Sequence, residues 1–207
     1  HEMRNALKGN NRFECIFTDV AELDICNAEA VKQTIADNHI DYIVNCAAYT
    51  QVDKAEDNAE LCKKINTDAV ENLARAAADY GARMIHISTD YVFNGRGYRP
   101  YTEDVVPDPQ SVYGSTKLEG EKILTDICPE SIIIRTAWLY SPYGNNFVKT
   151  MLHLGEEREE LSVVADQIGT PTCAADLAQA ILVILQADTF VPGTYHFSDE
   201  GARSWYD

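Results

Sequence analysis

Apolar residues along the chain alternate between short compact runs and helical spacing. The compact runs predict strands at Phe13–Thr18, Tyr42–Cys46, Met84–Ser88, Ser131–Trp138, Leu161–Ala165 and Thr194–Phe197. The helical spacing predicts helices at Glu2–Lys8, Asn27–Asn38, Asp57–Tyr80, Ser111–Ile127, Asn146–Gly155 and Ala174–Ala187. Because strands that alternate with helices form parallel sheets covered by helices, the pattern predicts an α/β fold with a Rossmann-like, doubly wound parallel sheet.

Some elements carry sharper signals than periodicity alone. Gly81 follows the long helix Asp57–Tyr80 and is a stop signal. The consecutive isoleucines Ile132–Ile134 are typical of a strand that is buried on both faces. The stretch Asn94–Pro109 is rich in glycine, proline and charge, and we expect a surface loop there.

Composition excludes several classes of protein. The 207 residues correspond to one domain or one and a half. A formal net charge of −16 argues against a nucleic acid as partner, because phosphates would be repelled. No apolar run approaches the ~18 residues of a membrane-spanning helix, and no signal peptide is recognisable. The six cysteines have wide, irregular spacings that favour reduced structural thiols in the cytoplasm over disulfides or zinc.

Tyr113 and Lys117 form the most informative local pattern. At i and i+4 of a predicted helix, their side chains lie on one face and can converge on one site. A nearby ammonium lowers the pKa of a phenol, which makes the tyrosine a usable general acid near neutral pH. The same lysine can hold the ribose hydroxyls of a nucleotide. The alternative is an ordinary solvated helix face.

Further candidates follow predicted strands, where open α/β sheets bind ligands. Ser88 and Thr89 end one strand and could polarise a substrate carbonyl, or simply build a turn. Asp19 follows the first strand, where an acidic residue can hold adenosine ribose, and Asp24 is a second candidate. The small residues after Asn45 would let a cofactor approach, or only pack closely. Trp138 could stack on a flat ring or belong to the core.

Six blocks together resemble the dTDP-4-dehydrorhamnose reductases of the extended short-chain dehydrogenase/reductase superfamily. The resemblance runs through the whole chain in order. The blocks are Val44–Glu56, His86–Gly95, Val112–Lys117, Arg135–Tyr140, Gly144–Met151 and Asp166–Thr172. Tyr-x-x-x-Lys alone would indicate only the superfamily, whereas six ordered blocks are specific.

The resemblance implies a role for each matching position. Thr89, Tyr113 and Lys117 would be the catalytic triad, with Tyr113 protonating the C4 oxygen as hydride arrives. Substrate contacts would come from Ser88, Thr89, Tyr113 and Trp138. The cofactor would be held by Asp19, Asp24, Ile25, Ala47, Ala48, Tyr49, Thr50, Tyr113 and Lys117.

The implied reaction is reduction of dTDP-4-dehydro-β-L-rhamnose to dTDP-β-L-rhamnose by NADPH or NADH. We also expect a cytoplasmic location and a homodimeric assembly. The resemblance associates Mg²⁺ with an interface in some members. No residue of this chain establishes that metal. Residues 1–140 would form the NAD(P)-binding core, and residues 141–207 part of a substrate-binding region with late core strands and a helix.

The family pattern extends beyond both ends of this chain. A strand and a Gly-x-x-Gly-x-x-Gly turn would precede His1, and a segment completing the substrate domain would follow Asp207. We therefore expect weak cofactor binding and marginal stability from these residues expressed alone.

Two other functions remain open at this level. A relative of these reductases is the regulatory subunit of methionine adenosyltransferase, which keeps the fold and acts through a partner. The intact Thr89, Tyr113 and Lys117 favour the enzyme over that alternative. An epimerase or dehydratase of the same superfamily would keep the Tyr/Lys pair, but Thr89 is not followed by the Asp-Glu pair that dehydration needs.

Overall fold

The computed structural model describes all residues, His1–Asp207, as an α/β protein. Its helices are α1 (Glu2–Ala6), α2 (Ala28–Asp37), α3 (Val52–Asp57), α4 (Ala59–Lys63), α5 (Ala69–Tyr80), α6 (Val112–Ile127), α7 (Phe147–Glu157) and α8 (Ala174–Gln186). Its strands are β1 (Tyr42–Asn45), β2 (Arg83–Thr89), β3 (Ile132–Thr136), β4 (Leu139–Tyr140), β5 (Ile168–Gly169), β6 (Thr172–Cys173), β7 (Gly193–His196) and β8 (Arg203–Ser204).

The main sheet has four strands in the order β1-β2-β3-β7. β1 runs parallel to β2, with Asn45 opposite His86, and β3 runs parallel to β7, with Arg135 opposite His196. Parallel pairing confirms the predicted fold class and brings the carboxyl ends of the strands to one edge. Two short sheets, β4-β6 and β5-β8, complete the strands.

The helix boundaries follow from capping side chains. Asn27, Ser111 and Asn146 each accept a hydrogen bond from the backbone N–H three residues later, at the first turns of α2, α6 and α7. Gly81 ends α5 with a left-handed φ of 72°, a conformation that glycine adopts without strain. These four positions reproduce the helix limits expected from sequence.

The largest hydrophobic cluster lies between helices α2, α5 and α6 and strands β2 and β3. Its buried members are Val31, Ile35, Val70, Leu73, Ala74, Ala76, Ala77, Ala82, Met84, Leu124, Cys128 and Ile133. Ile132–Ile134 are all buried, as the consecutive isoleucines predicted. This cluster packs against the middle of the sheet, and polar residues such as Ser88 and Thr89 lie at the carboxyl ends of the strands.

Two predicted strands are wrong. Phe13–Thr18 and Leu161–Ala165 adopt no regular structure, and Ile16 is about half exposed. A strand is stable only with a hydrogen-bonded neighbour, and β1 at the sheet edge pairs with β2 alone. After Leu161–Ala165, the first residues that pair as a strand are those of β5, which is antiparallel to β8. An apolar pattern does not specify a partner.

Two other predictions are only partly right. The strand expected at Ser131–Trp138 is shorter, because β3 ends at Thr136 and Trp138 has a positive φ of 49°. The long helix expected at Asp57–Tyr80 is interrupted by a π-helical segment, Lys64–Asp68, between α4 and α5. Leu61, an apolar residue within that predicted helix, is exposed.

The chain divides into two compact units that are not continuous in sequence. One comprises residues 1–14, 136–190 and 197–207, and the other comprises residues 15–135 and 191–196. The second unit contains the four-stranded sheet apart from the last residue of β3. The assignment of residues 1–140 and 141–207 to cofactor and substrate binding stays a prediction. No helix has the length and apolar content that a bilayer crossing requires.

Candidate active site

The carboxyl end of β2 and the first turns of α6 bring four of the predicted residues together. Ser88 and Thr89 are the last two residues of β2, and Tyr113 and Lys117 lie one turn apart on α6. All four are buried. Gly114 permits this approach, because a Cβ there would lie 2.2 Å from the carbonyl oxygen of Tyr91. The sequence pattern therefore corresponds to a real cluster.

Tyr113 is 8% exposed and lies edge-on to the ring of Tyr91, with centroids 5.5 Å apart. Burial raises the pKa of Tyr113 to about 12, although a hydrogen bond with the Thr89 side chain acts in the opposite direction. Thr89 also accepts a hydrogen bond from the backbone N–H of Tyr91 at 3.2 Å. The phenol is therefore protonated at neutral pH and next to a hydroxyl.

Lys117 is 1% exposed and turns towards β2. Its Nζ lies 2.7 Å from the carbonyl oxygen of Ile87, to which it donates, and 3.2 Å from Nε2 of His86. Burial lowers the pKa of Lys117 to about 8, against the opposing influence of Glu121. Burial also holds the pKa of His86 well below its usual value, so the imidazole ring of His86 is neutral.

The lowering of the Tyr113 pKa that Lys117 was predicted to cause is not seen in this arrangement of the two side chains, and it stays a prediction. The pKa of Tyr113 is raised, and the groups that influence it are Thr89, Asp90, Tyr91 and Cys62 rather than the lysine. The physical reason is that desolvation of the phenol dominates while Nζ of Lys117 is directed at His86 and Ile87.

A buried ion pair adjoins the site and was not anticipated. Arg135 donates from Nε and Nη2 to the carboxylate of Glu121, with Nη2 2.7 Å from Oε2. Ser88 donates its hydroxyl proton to Oε1 of the same carboxylate. Glu121 stands four residues after Lys117, so the i, i+4 series Tyr113, Lys117, Glu121 was the signal available in the sequence.

The loop after β1 contains the residues predicted to line the cofactor groove. Ala47 donates its backbone N–H to Oδ1 of Asn45 at 3.0 Å. Asn66, in the π-helical segment, accepts from the backbone N–H of Tyr49 and donates to its carbonyl oxygen. Ala48 is half-buried and Thr50 is exposed. The chain here is held by side-chain amides and not by strand pairing.

The three residues predicted to meet the adenosine lie before α2. Asp19 and Asp24 are exposed and accept hydrogen bonds from the backbone N–H groups of Val20 and Cys26. Ile25 packs against the main core, and its carbonyl oxygen accepts from Asn72. The structure shows no contact between these residues and Tyr113 or Lys117.

Trp138 belongs to the other compact unit, which comprises residues 1–14, 136–190 and 197–207. Its ring stacks on Trp205 with centroids 3.6 Å apart and an interplanar angle of 15°. Gly169 lies beneath the ring, where a Cβ would come within 2.4 Å of it. The indole therefore packs closely within its own unit and stays partly exposed.

Comparisons with known proteins agree with this architecture. The family model described as "RmlD substrate binding domain" matches residues 1–207. A dTDP-4-dehydrorhamnose reductase of Aggregatibacter actinomycetemcomitans is 43% identical over 205 residues, which cover 97% of this chain and 70% of that protein. The chain spans about two thirds of the length of the curated relatives it matches, from 62% to 70%.

Two solved structures have nearly the same fold. The dTDP-4-dehydrorhamnose reductase of Clostridium acetobutylicum is 48% identical, with a TM-score of 0.95 over 99% of this chain and 72% of its own. The Bacillus anthracis enzyme, solved in complex with NADP, is 42% identical, with a TM-score of 0.92 over 98% of this chain and 72% of its own. By family model, sequence and fold, the chain belongs to the dTDP-4-dehydrorhamnose reductase family.

Proposed function

We propose that the protein containing this chain reduces dTDP-4-dehydro-β-L-rhamnose to dTDP-β-L-rhamnose with NADPH or NADH, the last step of synthesis of that sugar donor. The observation that carries the proposal is the buried pair of hydroxyl groups of Thr89 and Tyr113 in a member of this family. Lys117 lies one turn after Tyr113 on α6. A regulatory protein acting through a partner has no need of this cluster.

The residues at the carboxyl end of β1 fit a dinucleotide. Ala47 and Ala48 have small side chains, and the backbone of Tyr49 is held by Asn66. A flat ligand can therefore approach the loop without moving a large side chain. These residues with Thr50 would hold the cofactor. Asp19, Asp24 and Ile25 would hold its adenosine end, and Lys117 its nicotinamide ribose.

When bound, the reduced nicotinamide supplies the hydride. Tyr113 donates the proton that the C4 oxygen of the sugar then needs, because its phenol keeps its proton well above neutral pH. Thr89 would favour the phenolate left behind by turning its hydroxyl proton from Oδ1 of Asp90, to which it donates at 3.1 Å, to the phenolate oxygen. Lys117 serves the same end when its ammonium group turns from His86 to the phenol, since an opposite charge lowers the phenol pKa.

Substrate binding is divided among the remaining predicted residues. Thr89 and Tyr113 would contact the reacting carbonyl. Ser88 donates to Glu121, so its hydroxyl oxygen is left to accept a hydrogen bond from the sugar. Trp138 would lie against the sugar nucleotide with the exposed part of its indole.

The assembly and location of the protein are part of the same proposal. We expect a cytoplasmic homodimer, which sedimentation of the complete protein tests. No group of three or more His, Cys, Asp or Glu side chains is arranged to hold a metal ion.

Tyr113→Phe in the complete protein tests the proposed acid. Loss of the reduced-nicotinamide absorbance is followed with dTDP-4-dehydro-L-rhamnose, with NADH and NADPH in separate assays. Removal of a general acid lowers turnover by about 10²–10⁴-fold. Cofactor affinity should be unchanged, because the ring remains.

The matched control is Tyr80→Phe, the same change at an exposed tyrosine that ends α5. It should leave turnover as it is. Undiminished turnover in Tyr113→Phe would contradict the assignment of the acid. Cofactor binding with no turnover in the unmodified protein would contradict the reductase and favour the regulatory alternative.

A further inference from the structure

His86 is buried and the proposed reaction does not use it. It lies in the middle of β2 with no measurable exposure, opposite Asn45 of β1. Its Nδ1 is 3.1 Å from Nδ2 of Asn45, and its Nε2 is 3.2 Å from Nζ of Lys117. The ring therefore bridges the amide of one strand and the amine of α6.

The orientation of the Asn45 amide is set by the backbone. Its Oδ1 accepts the N–H of Ala47 at 3.0 Å, a group that can only donate. The NH₂ group of Asn45 must consequently face His86. A donor at Nδ1 requires that nitrogen to carry the lone pair, so the neutral ring bears its proton on Nε2.

This tautomer determines which form of Lys117 can stay against the ring. Nε2–H points at Nζ, so the contact is a hydrogen bond only if Nζ offers a lone pair. An ammonium group has three donors and no acceptor, so it would meet a second donor. The contact with Ile87 is compatible with either form, because an amine can also donate to a carbonyl oxygen.

We propose that His86 is a positioning residue for the reductase reaction: held in its Nε2–H tautomer by Asn45, it binds Lys117 as the neutral amine and releases it as the ammonium. Taking up a proton from solvent removes the only lone pair of Nζ. The hydrogen bond to His86 is then lost, and the charged group turns away from the ring towards the catalytic cluster. The inference rests on the proposed function of Lys117.

The charged and titratable neighbours of Lys117 agree with this arrangement. Burial favours the amine, whereas Glu121 on the next turn of α6 and the thiols of Cys46 and Cys62 favour the ammonium. The balance places the pKa of Lys117 at about 8, so both forms are populated near neutral pH. The lysine can thus pass between them under working conditions.

The tautomer of His86 is the direct test and needs no turnover. Ring ¹⁵N shifts of the complete, unmodified protein are recorded from pH 6 to 9. We expect a neutral ring with its proton on Nε2 throughout. An Nδ1–H tautomer, or a ring that titrates in this range, overturns the proposal.

His196 is an internal control of opposite sign. Its Nδ1 lies 3.2 Å from the carbonyl oxygen of Tyr101, which can only accept, so the neutral ring of His196 should carry its proton on Nδ1. The two histidines in one spectrum should therefore show opposite tautomers.

His86→Gln tests the effect on Lys117. The glutamine carbonyl can accept from an ammonium group, so the pKa of Lys117, read from its ¹⁵Nζ shift, should rise by about one unit. The alkaline limb of kcat/KM should move upwards equally, because that limb reports the free enzyme. His196→Gln should leave both values unchanged.

An unchanged Lys117 pKa in His86→Gln overturns the proposal, and if that variant does not fold, the tautomer measurement decides. Absence of sugar reduction by the unmodified protein would instead disprove the proposed function. The ¹⁵N data still report on His86 in that case, so the two failures are distinguishable.

Discussion

At the scale of single residues, the site is defined by polar groups that are buried with specific partners. Lys117 has His86 and the carbonyl oxygen of Ile87, and Glu121 has Arg135 and Ser88. A buried charge without such partners would cost several kcal/mol. These partners pre-organise the cluster but leave the desolvation of Lys117 incompletely compensated.

Lys117→Met should stabilise the fold at pH 7 by about 1–2 kcal/mol. The substitution removes a buried ammonium group and replaces it with an uncharged side chain of similar length. The pKa of Lys117 is about 8 in the folded protein, and the pKa of a lysine in an unfolded chain is about 10.4. The unfolded state thus binds the proton more tightly. The cost is complete below pH 8 and disappears as the pH rises towards 10.4.

Urea unfolding of both complete proteins at pH 7 and pH 9.5 measures the difference, which should shrink at the higher pH. Lys63→Met is the matched control. Lys63 is about half exposed and lies 3.8 Å from Asp68 and 3.9 Å from Glu119, so its removal should change stability by less than about 0.5 kcal/mol. A destabilised Lys117→Met would contradict the argument.

At the scale of elements, α6 is placed by close backbone contacts on two sides. Gly114 meets the turn after β2, and Gly120 meets the π-helical segment, where a Cβ would lie 2.3 Å from the carbonyl oxygen of Asn66. Thr67 of that segment donates to the carbonyl oxygen of Thr116 at 2.9 Å. The two small residues let α6 carry Tyr113 and Lys117 up to the sheet.

Gly120→Ala should destabilise the protein by about 1–3 kcal/mol, because the added methyl group meets backbone that cannot move aside. Thermal or urea unfolding measures this, and the position of α6 should shift enough to lower turnover. An unchanged or increased stability would contradict the close contact.

Gly155→Ala provides the control within another helix. Gly155 lies in α7, and nothing is within 4 Å of a Cβ placed there. The same substitution should therefore stabilise the protein by about 0.5–1 kcal/mol, through the better helix propensity of alanine alone.

At the scale of the whole molecule, the chain exposes more large apolar side chains than a small stable protein needs. More than half of the surface of each of these residues is accessible: Ile16, Val20, Leu152, Val164, Ile168, Val183 and Val191. In α7 no residue is buried. β1, which ends at the proposed cofactor loop, is an edge strand of the sheet.

Residues 1–207 expressed alone should therefore unfold at low denaturant, bind hydrophobic dyes and bind NADPH weakly. Exposed apolar area contributes nothing to stability and favours association. Circular dichroism during urea titration and cofactor fluorescence measure these properties against the complete protein. Cooperative unfolding of the isolated residues with tight NADPH binding would contradict the expectation.

The sequence by itself determined the fold class, most helices and the residues of the proposed catalytic cluster. Caps such as Ser111 and Gly81 are local chemistry, so they are readable from neighbouring residues. The i, i+4 spacing of Tyr113 and Lys117 is a consequence of helix geometry and needs no tertiary information. The six ordered sequence blocks indicated the family, and the comparisons with known proteins confirmed it.

The tertiary structure decided whatever depends on a distant partner. Strand formation at Phe13–Thr18 and Leu161–Ala165 failed because pairing partners are not encoded in an apolar pattern. The direction of Lys117 and the raised pKa of Tyr113 depend on burial by β2 and its surroundings. Desolvation comes from the complete packing of the chain, so local spacing predicted which groups meet but not which protonation state they favour.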